Sequence, residues 1–135
     1  MFISSSQLEA SGWIAIVDDD VAVREAIGNL LSAYSLRART FGSPEAFLLA
    51  LVAGPPSCAI FDMHMPGKTG LELLQYLRAN DFQQIPVIIV TASANPGLRE
   101  HCEAAGASAF LTKPFDTDVL LAAIEQATSS ARVSI

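Results

Sequence analysis

The sequence predicts an α/β protein built on one doubly wound, five-stranded parallel sheet. Three observations predict it. Short apolar runs alternate with helical periodicities five times along 135 residues. Most of those runs are continuously apolar, as strands buried on both faces of a parallel sheet are. The links between elements are short, and right-handed crossovers then place helices on both sides of the sheet.

Trp13–Val17 is the first apolar run, and Asp18-Asp19-Asp20 stops it. Val23, Ala26, Ile27, Leu30, Leu31 and Tyr34 recur at steps of three and four, the inward face of an amphipathic helix. Leu36–Phe41 alternates and reads as a short strand. Ser43-Pro44 opens the second helix, with a capping hydroxyl followed by proline at the first helical position. Phe47, Leu48 and Leu51 give that helix its apolar side, and Gly54-Pro55-Pro56 ends it. Cys58–Phe61 is the next buried run, closed by Asp62. The loop Met63–Thr69 follows, with Pro66, Gly67 and then Gly70 as turn residues, before a helix carrying Leu71, Leu74 and Leu77. Pro86–Val90 is closed by Thr91. Asn95-Pro96 caps and opens a helix to about Ala105, and Gly106 breaks it. Ala107–Leu111 ends at Thr112-Lys113-Pro114. Asp116 then caps a last helix with Val119, Leu120, Ala123, Ile124 and Ala127 inward. Residues 1–12 are Ser-rich and are expected to be a flexible leader. Residues 13–128 form the predicted domain and 129–135 a short tail.

Composition narrows the function. Hydrophobic residues make up 51% and charged residues 16%, which excludes disorder. The net charge is −6, and no Lys/Arg-rich stretch exists, so neither nucleic acid nor an anionic membrane is expected as a partner of this chain alone. Cys58 and Cys102 sit in apolar or helical patterns and read as free thiols of a reducing compartment. Two histidines without a Cys–His cluster argue against zinc. The N-terminus lacks the pattern of a signal peptide, and the longest apolar run, 46–53, is too short to span a bilayer. A cytoplasmic protein is expected.

In open parallel sheets the ligand site lies beyond the carboxyl ends of the strands. Four of the predicted strands end in Asp18/Asp19, Asp62, Thr91 and Lys113, which should therefore converge in one crevice. An Asp triplet alone is a polar strand end with a helix cap; a further carboxylate from Asp62 changes its meaning. Clustered carboxylates repel one another unless a cation relieves them, and hard oxygen donors that leave room for water suit Mg²⁺. Asp19 and Asp62 are read as direct ligands, Asp18 as acting through water, and Asp20 as the helix cap. The backbone carbonyl of His64 could serve the metal whatever its side chain. Asp62 is the candidate nucleophile, since a carboxylate attacking phosphorus makes an acyl phosphate. Such an attack needs in-line approach and charge neutralisation, to which Lys113 adds a second cation. A cis peptide before Pro114 would aim Lys113 inward. The Thr91 hydroxyl would bond a phosphoryl oxygen, and the small Ala92 keeps the crevice open. The His64 imidazole is expected near the path of the water that hydrolyses the acyl phosphate. Two other readings stand beside this one. One is an interaction module that is never phosphorylated. The other is a Mg²⁺-dependent phosphatase or nucleotide binder, which would need a glycine-rich loop where Asp19-Asp20-Val21-Ala22 stands.

Four motifs, in order, resemble the receiver domain of two-component response regulators: Ile16-Val17-Asp18-Asp19, Phe61-Asp62-Met63-His64-Met65-Pro66-Gly67, Val90-Thr91-Ala92 and Leu111-Thr112-Lys113-Pro114-Phe115. The resemblance runs from Trp13 to Ala127. It implies a flavodoxin-like fold with strand order 2-1-3-4-5, phosphorylation on Asp62, and Mg²⁺ held by Asp18, Asp19, Asp62 and the His64 main-chain carbonyl. It implies signalling roles for Thr91 and Lys113, and a switch surface that includes Ala92, Phe110 and Pro114. It implies a signalling domain that catalyses only its own phosphorylation and dephosphorylation. The donor would be a sensor histidine kinase or phosphotransfer protein, with a phosphorylation-linked homodimer as an open outcome. Val17–Glu25 with Thr40-Phe41 is most similar to the nitrogen-fixation regulator branch, whose members usually carry a C-terminal helix-turn-helix domain. Two departures stand out. The sequence ends shortly after the last motif, as a stand-alone receiver or a piece of a longer protein would. Phe110 occupies a position where tyrosine is common.

Overall fold

Five short strands form a single parallel sheet in the computed structural model, which describes residues 12–93 and 95–133. The strands are β1 (Ile14–Val17), β2 (Ala38–Phe41), β3 (Cys58–Asp62), β4 (Val87–Thr91) and β5 (Ala109–Thr112). The helices are α1 (Val21–Ala33), α2 (Pro44–Ala50, continued by a 3₁₀ turn Leu51–Ala53), α3 (Gly70–Ala79), α4 (Pro96–Ala104) and α5 (Thr117–Val133). The order across the sheet is β2-β1-β3-β4-β5. Register brings Val17 beside Phe61, Asp62 beside Val90, and Thr91 beside Thr112. The carboxyl ends of β1, β3, β4 and β5 therefore lie at the same edge of the sheet, stepping forward by about two residues from β1 to β5.

The continuously apolar runs have the physical origin that the sequence suggests. Every residue of β1, β3 and β4 is buried. Because side chains alternate between faces, each strand feeds two cores. Ala15, Val17, Ala59, Phe61, Val87 and Ile89 pack with Phe47, Leu73, Leu74, Leu77 and Cys102, from the side of α2, α3 and α4. Ile14, Ile16, Cys58, Ile60, Ile88 and Val90 pack with Ile27, Leu31, Leu120 and Ile124, from α1 and α5. Each large apolar side chain so buried stabilises the fold by about 1.5–3 kcal/mol. Both cysteines are buried free thiols, and burial pushes the Cys58 thiol up to about 12.

The helix starts follow local chemistry. The Asp20 carboxylate accepts from the Ala22 and Val23 N–H groups, Ser43 from Ala46, and Asn95 from Gly97. A capping box at the start of α3, where Thr69 and Glu72 each accept from the other's backbone N–H, adds a signal not expected above. Arg78, near the end of α3, donates to the carbonyls of Phe82, Ile85 and Gly106 at 3.2, 3.0 and 2.9 Å. It ties α3 to the turn after α4.

Several expected inward positions are corrected. Ala26, Tyr34 and Val119 are exposed. Tyr34 lies one residue past the end of α1, so the helical period no longer governs it. In α5 the buried stripe is Leu120, Ala123, Ile124 and Ala127, and Val119 stands about 40° beyond its edge at Ala123. The strands begin at Ile14, Ala38 and Ala109, inside the expected runs. Helix α5 continues to Val133, so residues 129–133, read as tail, are helical. The expected leader, apart from Gly12, and the last two residues lie outside the described residues. No helix among the described residues is long and apolar enough to cross a membrane.

Candidate functional site

Four strand ends and one loop deliver the polar groups of the site. Asp18 follows β1, Asp62 ends β3, and Lys113 follows β5. The Lys113 ammonium donates to Asp62 Oδ1 at 2.9 Å and to Asp18 Oδ2 at 3.4 Å. Asp18, Asp19 and Asp62 each present an oxygen, all within 4.8 Å of one another. Asp18 and Asp62 are buried and Asp19 is exposed. Three hard oxygens so grouped could hold a metal ion, and suit a hard cation better than a thiophilic one.

Backbone bonds hold these groups in place. The Asp20 N–H donates to Asp18 Oδ1 at 2.9 Å, while Arg24, from α1, donates to the Asp18 carbonyl at 2.8 Å. Met63 N–H bonds the Val90 carbonyl, and Lys113 N–H bonds the Thr91 carbonyl at 2.7 Å. The Lys113–Pro114 peptide is cis.

The electrostatics show competition. Burial is the largest influence on Asp18 and raises its carboxyl above the usual range. The Asp20 N–H opposes this, the Asp62 charge adds to it, and Lys113 opposes it. For Lys113, burial alone would lower the ammonium. The Asp62 hydrogen bond and the charges of Asp18 and Asp62 together outweigh burial and raise it above the ordinary lysine value.

Thr91, fully buried at the end of β4, has its hydroxyl 3.2 Å from His64 Nε2 and accepts the Ser93 N–H at 3.0 Å. The His64 side chain therefore lies against Thr91, a partner that sequence spacing did not suggest. Ala92 is exposed at the rim. Phe110 is buried, with the Arg99 guanidinium 5.7 Å from its ring centre. A cleft of about 600 Å³ between α1 and β2 lies apart, since none of Asp18, Asp62, Thr91 or Lys113 lines it.

Gly70 has a role beyond the turn expected of it. A Cβ there would lie 2.6 Å from the Asp62 carbonyl oxygen and 3.2 Å from Met63 Cα. The first turn of α3 thus packs directly on the backbone of the central carboxylate. Gly70→Ala should cost about 1–3 kcal/mol through this clash and should displace Asp62. Urea unfolding measures the loss, and stability equal to wild type would contradict it.

A family model for the response regulator receiver domain matches residues 14–125. The transcriptional regulatory protein FixJ of Bradyrhizobium diazoefficiens is 35% identical over 124 residues, covering 92% of this chain and 60% of that protein. The response regulator protein TmoT of Ectopseudomonas mendocina is 39% identical over 114 residues, covering 84% and 51%. The crystal structure of FixJ-N superposes with a TM-score of 0.81 at 30% identity, covering 87% of this chain and 94% of that one. The chain spans about half the length of the curated relatives it matches.

Proposed function

This chain belongs to the response regulator receiver domain family of two-component systems, and from that premise we propose that Asp62 accepts a phosphoryl group while Thr91 and Lys113 relay the change to a protein partner. The observation that carries the reading is the Lys113 ammonium, bonded at once to Asp62 and Asp18 from the end of a different strand. A lysine so placed balances charge at the one carboxylate that ends a central strand.

An Asp62 oxygen attacks phosphorus in line and forms an O–P bond. The P–O bond of a small acyl phosphate breaks, or the P–N bond of a phosphohistidine, and the electron pair leaves with the carboxylate or the imidazole nitrogen. Lys113 stays beside the new phosphoryl oxygens, and Thr91 donates its hydroxyl to one of them. These contacts exist only in the modified state, so they bias an equilibrium between two arrangements. Asp18, Asp19, Asp62 and the His64 carbonyl would hold Mg²⁺, which when bound supplies charge neutralisation between carboxylate and donor. The surface that responds comprises α4, β5 and α5, including Ala92, Phe110 and Pro114. The donor is a sensor histidine kinase or phosphotransfer protein in the cytoplasm. The output is a bound partner or an attached DNA-binding domain, as FixJ's designation as a transcriptional regulatory protein suggests.

Acetyl phosphate with Mg²⁺ tests the reading by intact mass. One added phosphoryl group per chain is expected. Steady release of free phosphate without an adduct would instead indicate a phosphatase, and no reaction an interaction module. Mg²⁺ should also raise the melting temperature, by about 1.4 kcal/mol of stability at ten times its dissociation constant. Because burial raises the Asp18 carboxyl, protons compete with the metal, and the Mg²⁺-induced shift should shrink as pH falls through the acid range. A shift independent of pH would count against Asp18 as part of the metal site.

A further inference from the structure

The Thr91 hydroxyl is already engaged before any phosphoryl group arrives. A hydroxyl offers one proton and two lone pairs. One lone pair accepts the Ser93 N–H at 3.0 Å. The group 3.2 Å away on the other side is His64 Nε2. Thr91 is fully buried, so its proton needs an acceptor. Donation to Nε2 supplies one, with the imidazole proton on Nδ1. A phosphoryl oxygen on Asp62 can only accept, so it demands the same proton that His64 holds. The two bonds exclude each other.

We propose that His64 is a positioning residue that latches the Thr91 hydroxyl in the unmodified arrangement, so that phosphorylation must win the hydroxyl from the imidazole. This rests on Asp62 as the acceptor. The latch lies in the loop after β3, its anchor at the end of β4, and the side chain of His64 is exposed. Releasing it leaves the core unbroken. The latch opposes the modified state through equilibrium, in contrast to a role for the imidazole beside the hydrolytic water, which would alter only a rate.

Titration with beryllium fluoride and Mg²⁺, followed by amide NMR, measures the competition. His64→Ala should bind the phosphoryl mimic more tightly than wild type by about two- to tenfold, the size of one net neutral hydrogen bond. In the unliganded His64→Ala protein the Ser93 amide signal should already move toward its liganded position. His64→Gln, whose side-chain oxygen has similar reach, should restore wild-type affinity. In a Thr91→Ala background, His64→Ala should have no further effect. Equal or weaker binding by His64→Ala overturns the latch, because general damage to the loop loosens binding rather than tightening it. An acetyl phosphate adduct on wild type with unchanged His64→Ala affinity sinks the latch alone. No adduct and no response to the mimic in wild type sinks the acceptor reading and the latch with it.

Discussion

Asp62→Asn should abolish covalent modification: with acetyl phosphate and Mg²⁺ the variant keeps its unmodified mass while wild type gains one phosphoryl group. The amide oxygen of asparagine is a poor nucleophile, yet the side chain keeps the shape of aspartate. It can still accept from Lys113, which sits 2.9 Å away. Fold and adduct can therefore be separated, and the circular dichroism spectrum of the variant should match wild type. Hydroxylamine should strip the wild-type adduct, because it attacks acyl phosphates and spares phosphate esters of serine or threonine. An adduct of wild-type stoichiometry in Asp62→Asn would move the acceptor elsewhere and undo the proposed chemistry. Among the described residues the carboxylates grouped with Asp62 are Asp18 and Asp19, for which the metal role is proposed.

The second large effect belongs to Lys113→Met. Lys113 balances two buried carboxylates, Asp18 and Asp62, whose side chains are 3% and 8% exposed. Removing one member of a buried ion pair costs 3–5 kcal/mol. About 3 kcal/mol is expected here, since the Lys113 side chain is itself 26% exposed and water already screens part of the interaction. The sign of the pH dependence follows from Asp18. Its carboxyl lies above the ordinary value of 3.8 in the fold, with burial as the main cause, and losing Lys113 raises it further. The folded state then binds more protons than the unfolded chain between those two values, so stability falls as pH rises across that window. The deficit of Lys113→Met should therefore shrink toward acid pH. Mg²⁺ should also reduce it, by returning a cation to the carboxylates. Chemical denaturation across pH, with and without Mg²⁺, reads both. A deficit that grows toward acid pH would show that Lys113 stabilises the fold through something other than these carboxylates.

Much of this site was legible in the sequence because strand ends are legible. A continuous apolar run closed by one polar residue marks both a buried parallel strand and its carboxyl end. Asp18, Asp62, Thr91 and Lys113 each occupy such a place, and topology does the rest. Caps were legible for the same local reason: Ser43-Pro44 and Asn95-Pro96 need only their neighbours to work. What the sequence hid depends on distances between separate segments. His64 reaches Thr91 across 27 residues, and no spacing rule encodes which way a loop side chain turns. Gly70 reads as an ordinary turn glycine until the Asp62 carbonyl appears beneath it. Arg78 and Arg24 carry no sequence signal of their role, yet both donate to backbone carbonyls of other segments. Val119 errs the other way. It belongs to an apolar cluster in sequence but stands off the narrow stripe that α5 buries.

The bond from Lys113 to Asp18 joins residues 95 apart in the chain, and its bond to Asp62 joins residues 51 apart. This long-range closure gives the site a place in time. During synthesis from the N-terminus, the acidic residues and the acceptor emerge first, and their balancing lysine comes only after β5. Until that last strand docks beside β4, the nascent chain holds a cluster of carboxylates without its cation. On the proposed chemistry, competence to accept a phosphoryl group therefore waits until the last strand of the sheet has docked.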